Sequence, residues 1–253
     1  MHVIKDALLG GLSFLGLPDN RAVMLMYHSI SPRNGYFMNV EPSEFERHME
    51  HIAASGHPVI SLSDLVRRIK NKETLGGSVV ITFDDGYRDN YEIAFPVLKQ
   101  HRFPATIFVT TDLIGKNDKR DLPRLTAQQL KEMGSSGLID IEPHTTSHPK
   151  LGALSASDAQ REIQGSKMAL EELLGKRIAH FAYPYGSYTT ETESIIREHG
   201  FDSAVSVEEG TVRPQSDLFR LPRVSIDAST TFAQFRGKLS RAVDVYQSLK
   251  SHR

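Results

Sequence analysis

Two adjacent carboxylates, Asp84 and Asp85, end the apolar run Val79-Val80-Ile81-Thr82-Phe83, and Gly86 follows them. Neighbours within a strand point to opposite faces. At a strand end a glycine lets the backbone turn, so both carboxylates can reach one cavity. Side by side and unpaired they would repel; a bound cation relieves that and keeps a neighbouring base ionised. A helix cap or a turn would use the same two residues without chemistry. A second stretch reads Ile141-Glu142-Pro143-His144-Thr145-Thr146-Ser147-His148-Pro149. Histidines at this spacing can share a metal. The flanking prolines disfavour a regular helix and point to a strand-end loop. Neutral imidazole is a common zinc ligand; the alternative is two loop histidines bonded to neighbouring hydroxyls. His28 closes the apolar segment Met24-Leu25-Met26-Tyr27, and either lines the same cavity or is a buried, satisfied histidine. In Phe181-Ala182-Tyr183-Pro184-Tyr185-Gly186, aromatics around Pro and Gly could wall a sugar site, with a turn presenting backbone N–H groups; core aromatics are the other reading.

Together, one carboxylate and two imidazoles make a three-ligand metal site with open positions, and Asp84 is a spare carboxylate beside it. That set suits metal-assisted hydrolysis: the metal polarises an acyl oxygen and lowers the pKa of a water, and Asp84 takes the proton. Two histidines and one carboxylate also suit a mononuclear iron oxygenase. The order Asp-Asp-Gly, then His-x-x-x-His, in a βα pattern speaks against it.

The elements that must position these residues follow from the pattern. Short apolar runs at 23–30, 79–84, 105–110, 138–144, 178–184, 203–207 and 219–226 read as strands covered on both faces. Helical spacing fills 44–55, 64–70, 90–101, 126–133, 155–174, 189–199 and 230–249. The alternation predicts an α/β fold: a single distorted (β/α) barrel of parallel strands with outer helices. No Gly-rich dinucleotide or phosphate loop supports an open doubly wound sheet. Reactive residues of such a barrel gather at the C-terminal ends of its strands.

Composition narrows the class. The 253 residues carry 30 basic and 31 acidic side chains, net −1, which is no footprint for nucleic acid. With no cysteine, disulfides, thiolate metal sites, iron–sulfur clusters and cysteine nucleophiles are excluded. No stretch reaches the roughly 18 apolar residues of a transmembrane span. Residues 7–17 (ALLGGLSFLGL) have the length of a signal-peptide core, but Pro18-Asp19-Asn20 is no small-residue cleavage site. The expectation is an uncleaved segment over 1–20, docking on a surface or weakly on a membrane, ahead of a catalytic domain over 21–253. The expected location is cytoplasmic, with an anchored or secreted protein as the alternative. Oligomeric state is not legible.

At these motifs the sequence resembles the polysaccharide deacetylase family, also called the NodB-homology or carbohydrate esterase family 4 domain. Thr82-Phe83-Asp84-Asp85-Gly86 and His144-Thr145-Thr146-Ser147-His148-Pro149 match its first two motifs, in order. The segment Met26-Tyr27-His28, followed by Pro42-Ser43-Glu44-Phe45, is similar to the branch that includes exopolysaccharide N-deacetylases. The resemblance implies a barrel that usually has seven strands. It implies Asp84 as general base, and Asp85, His144 and His148 as ligands of a divalent metal, usually Zn²⁺, for which Co²⁺ or Ni²⁺ can substitute. It implies hydrolysis of acetyl groups, mostly from N-acetylglucosamine (GlcNAc) units of a glycan, with a backbone N–H at Tyr185 holding the oxyanion. Tyr87, Tyr183 and Pro184 are expected to contact the sugar.

Two positions depart from the family pattern. Its third motif often has an arginine that steers the catalytic Asp, where this chain has Ala182. Its fifth often has a histidine general acid, where Leu221-Pro222-Arg223 places an arginine. Arginine stays protonated and does not readily donate a proton. Arg223 could instead pair with Asp84 or steady negative charge. The leaving-group proton would then come from Asp84, from His28 or from water. A carbohydrate O-acetyl esterase and a non-catalytic glycan-binding protein of the same fold are the alternatives.

Overall fold

The computed structural model describes residues 20–32 and 35–240. The N-terminal segment singled out above, save Asn20, and the end of the last expected helix lie outside the described residues. Strands β1 (Ala22–Tyr27), β2 (Ser29–Ile30), β3 (Asn39–Val40), β4 (Ser78–Phe83), β5 (Ala105–Val109), β6 (Ile139–Pro143), β7 (His180–Ala182), β8 (Ser203–Glu209) and β9 (Leu221–Ser225) alternate with helices. These are α1 (Pro42–Ser55), α2 (Leu62–Lys70), α3 (Phe95–His101), α4 (Ala127–Ser135), α5 (Ala156–Leu174), α6 (Thr190–Glu198) and α7 (Phe232–Lys238). Seven strands, in the order β6-β5-β4-β1-β9-β8-β7, form a nearly closed barrel, and every neighbouring pair is parallel. The expected barrel is therefore present. The expected strand over 23–30 is interrupted at His28, and its last two residues pair instead with β3.

Alternation along the strands divides the core. Val79, Ile81 and Phe83 of β4 pack towards the outer helices, while Val80 joins Met24, Phe108, Ala182, Val205 and Leu221 inside the barrel. Helix α2 plugs the end at which the strands begin. Its Leu62, Leu65, Val66 and Ile69 repeat at helical spacing and are buried in the interior cluster. Ser61 caps it, the hydroxyl accepting from Asp64 N at 3.0 Å. The expected helix over 90–101 opens with a wide turn, Asn90–Ala94, in which Phe95 N reaches Asn90 O. Pro96 sets this: it lacks an N–H, and its ring would crowd the carbonyl four residues back. The wide turn is placed so that Asn90 Nδ2 donates to His28 O at 2.8 Å. Among the described residues no helix is long and apolar enough to cross a membrane.

The barrel closes between β6 and β7, where no backbone ladder is formed among the described residues. Side chains span the gap instead. Glu142 Oε2 accepts from Ala179 N at 3.0 Å and His180 N at 2.9 Å, and His144 Nδ1 bonds Ala182 O at 2.8 Å. Burial pushes the Glu142 carboxyl up to about 8, against the pull of its two N–H donors. A carboxyl raised in the fold contributes fully at low pH, and its contribution is lost as pH rises through that value. Glu142→Gln is neutral at every pH. Relative to wild type it should therefore gain stability from about pH 5 to about pH 8. Melting temperatures of both proteins across that range check this; parallel curves would show that Glu142 does not titrate there.

Candidate active site

The inward positions of β4 are Val80 and Thr82, and the same parity aims Asp84 into the barrel mouth. Parity alone would send Asp85 outward. Its backbone is left-handed instead, with φ 73°, and Gly86 follows at φ 66°. For a non-glycine residue this costs roughly 1–2 kcal/mol. Asp84 N still donates to Tyr27 O at 2.9 Å, so the ladder ends at Asp84 and the turn begins at Asp85. Both carboxylates thus face one cavity of about 480 Å³.

His144 leaves β6 on the inward side, its N–H donating to Val109 O at 2.9 Å. With Nδ1 on Ala182 O, its Nε2 faces the cavity. A ligating histidine commonly bonds a carbonyl through its other nitrogen in this way. The following loop is pinned by Glu162 of α5, which accepts from Thr146 N at 2.9 Å, Ser147 N at 2.8 Å and Ser147 Oγ at 2.6 Å. His148, at φ 66°, donates its N–H to Thr145 Oγ1 at 2.9 Å and turns its ring back to the cavity. Asp85 Oδ1 lies 3.2 Å from His148 Nε2 and 3.8 Å from His144 Nε2. The three ligand atoms fall within 4.8 Å of one another. Burial holds the His144 imidazole down at about 4. Burial would raise the Asp85 carboxyl, but His148, His28 and His144 hold it far below the usual carboxylate range. A neutral imidazole beside an ionised carboxylate is the state in which ligands accept a cation. The donor set, two nitrogens and one oxygen, suits Zn²⁺ or a similar divalent ion.

Asp84 is buried and paired with Arg223 of β9 in a two-pronged bond, Nη1 to Oδ1 at 2.6 Å and Nη2 to Oδ2 at 2.7 Å. Arg223 is fully buried; its Nε donates to Ser206 O at 2.9 Å and its Nη1 also to Thr82 Oγ1 at 3.2 Å. Burial raises the Asp84 carboxyl, but Arg223 and then His144 outweigh it and leave it below its ordinary value. Arg220, the other arginine of this stretch, pairs with Glu193 at 2.6 Å instead.

His28 lines the cavity, and its Nδ1 is buried without a hydrogen-bond partner. Burial lowers its pKa, opposed by the charges of Asp84 and Asp85. Tyr185 is left-handed at φ 58°; the residue is 59% exposed and its ring lies 4.7 Å from the His148 ring. The local turn is closed by Gly186 N to Tyr183 O and Ser187 N to Pro184 O, and the Tyr185 N–H takes part in neither bond. Gly186 is required there: a Cβ would come within 2.5 Å of Val207 Cγ2.

The cavity gathers Asp84, Asp85, His28, His144, His148 and Tyr185, with Arg223 behind Asp84. The three expected sugar contacts are placed elsewhere. Tyr183 follows the outward parity of Phe181, is buried, and donates its hydroxyl to Phe219 O at 3.1 Å. Pro184 is buried beside it. Tyr87 is buried between the Arg124 guanidinium, 3.7 Å from its ring, and Tyr36. Tyr36, Met38 and Arg120, which no motif marks, line the cavity instead. Glu162 and Arg124 carry no spacing signal either; only the folded chain brings them to the ligands.

The polysaccharide deacetylase family model matches residues 71–204. YxkH of Bacillus subtilis (strain 168), a protein of that description, is 33% identical over 84% of this chain and 74% of its own length. The poly-beta-1,6-N-acetyl-D-glucosamine N-deacetylase of Staphylococcus aureus is 28% identical over 82% of this chain and 79% of its own. Among solved structures, the Streptococcus pyogenes deacetylase PplD in complex with acetate is 27% identical, with a TM-score of 0.79 over 88% of this chain and all of that one. The family match lies across β4 to β8, the stretch that supplies both carboxylates, both histidines and the Tyr185 turn, and on these grounds the chain belongs to the polysaccharide deacetylase family.

Proposed function

We propose that the protein removes acetyl groups from GlcNAc units of a glycan, with Asp85, His144 and His148 holding a divalent cation, best fitted by Zn²⁺. The observation that carries this reading is the convergence of those three ligand atoms beside a second buried carboxylate, Asp84, in one cavity at the C-terminal ends of the strands. When bound, the cation supplies Lewis acidity, polarising an acyl oxygen and acidifying a water. Asp84 takes the proton of the attacking water. Arg223 keeps that carboxylate ionised and fixes both of its oxygens. The Tyr185 N–H, which neither bond of its turn uses, would hold the oxyanion; such donors act because they are fixed before charge develops. Asp84 then passes that proton to the leaving amine, which balances the step; burial lowers the pKa of His28 and disfavours it as the donor. Arg223 is unsuited to that step, because its guanidinium is fully buried and its donors are taken by Asp84, Ser206 and Thr82. The relatives that act on poly-beta-1,6-N-acetyl-D-glucosamine support a β-linked GlcNAc polymer or oligomer as substrate.

The test is acetate release from GlcNAc oligomers by protein stripped of metal and reloaded with Zn²⁺ or Co²⁺, beside O-acetylated sugars. Release from the N-acetylated oligomers only after reloading is the expected result. Release from the esters alone would replace this reading with an O-acetyl esterase. Silence with metal bound would reject the deacetylase for these oligomers.

A further inference from the structure

We propose that Arg124 is a positioning residue that makes Asp85 a one-oxygen metal ligand; this rests on the metal reading of the site. The two Asp85 oxygens face different neighbours. Oδ1 faces His144 and His148, whereas Oδ2 lies 3.7 Å from Arg124 Nη1. The same Nη1 donates to the Asp85 carbonyl at 2.7 Å, so one nitrogen pins the left-handed backbone and flanks the carboxylate. The guanidinium is itself fixed. Nη2 donates to Asp118 Oδ2 at 3.0 Å, and its face lies 3.7 Å from the Tyr87 ring. The backbones are tied as well: Leu125 N donates to Gly86 O and Arg88 N to Pro123 O, both at 2.9 Å. The segment carrying Arg124 and the turn carrying Asp85 therefore move as one piece. Arg124 is buried and its Nε has no partner, a cost the fold bears to keep a guanidinium here.

A carboxylate flanked on one oxygen by a fixed cation offers a metal the other. Coordination positions then stay open for water and the acyl oxygen. Without Arg124, Asp85 can rotate, use both oxygens, and fill one of those positions. Lysine keeps the charge but cannot span Asp85 and Asp118 with two nitrogens.

The measurement is Co²⁺ titration of the full chain, read by its visible absorption, on wild type, Arg124→Gln, Arg124→Lys and Asp118→Asn. Circular dichroism checks that each folds. Wild type should bind with the strong absorption of a low-coordinate site. Arg124→Gln should weaken Co²⁺ binding about 10–100-fold, the usual cost of losing a group that orients a ligand, and should lower the absorptivity as coordination rises. Arg124→Lys and Asp118→Asn should shift both readouts the same way by less. If wild type takes up no Co²⁺, the metal reading itself fails. If it does, and the folded variants match it in affinity and spectrum, the role of Arg124 is overturned. Should Arg124→Gln not fold, the other two variants decide on the same criteria.

Discussion

Asp84→Asn is expected to bind Zn²⁺ as the wild type does and to lose about 10²–10⁴ in kcat, the usual contribution of a positioned base. The substitution spares all three ligand atoms, since Asp85, His144 and His148 are held by contacts that do not involve Asp84. It removes the buried cavity carboxylate that lies beside the candidate ligands without being one of them. The amide oxygen can still accept from Arg223, so the geometry survives better than the charge. Metal content by elemental analysis, together with single-turnover acetate release, separates the two effects. Full metal with activity within tenfold of wild type would remove Asp84 from the base role. Loss of metal along with activity would mean that Asp84 supports the ligands.

Arg223→Met should have two large consequences. Removing one partner of a buried ion pair leaves the other charge uncompensated, at a cost of about 3–5 kcal/mol. Here the pair is completely enclosed, Arg223 at 0% and Asp84 at 2% side-chain exposure, so solvent screening gives little relief. The second consequence concerns pH. Burial alone would raise the Asp84 carboxyl, and Arg223 leads the forces that hold it below its ordinary value. Without the guanidinium the carboxyl protonates at higher pH, so the acid limb of the rate profile should move upward. Arg223→Lys keeps a charge without the two-pronged bond and should lie between. A destabilised Arg223→Met with an unmoved acid limb would make Arg223 structural only.

Much of this site is legible in the sequence because strand parity is a local rule. The run Val79–Phe83 alternates outward and inward, and it delivers Asp84 to the cavity without help from the rest of the chain. Gly86 signals a turn after the carboxylates. The left-handed backbone that re-aims Asp85 falls one residue earlier, on a residue type that carries no such signal. The expected sugar wall at 181–185 illustrates the limit. Which of Ala182 and Tyr183 faces inward depends on the register of β7 against β8, and the small residue takes the interior. The two departures from the family pattern are likewise resolved only in three dimensions. An arginine reaches the base from β9, where the family often supplies it from the segment containing Ala182. Arg124 and Glu162 are single charged residues without periodic or motif context. Their partners lie 39 and 15 or 16 residues away, and nothing in the spacing announces them.

The gap between β6 and β7 gives the barrel an unusual fastening. A ladder is redundant, since one broken rung leaves the others. A join made by Glu142 and His144 has no such reserve, and one of its two fasteners is a residue that also presents a nitrogen to the cation site. A cation held by that ring would make closure of the cylinder and occupancy of the cavity linked equilibria. Linkage is reciprocal. Whatever a cation contributes to keeping the cylinder shut, a shut cylinder contributes equally to retaining the cation, so in this enzyme shape and cargo guard one another.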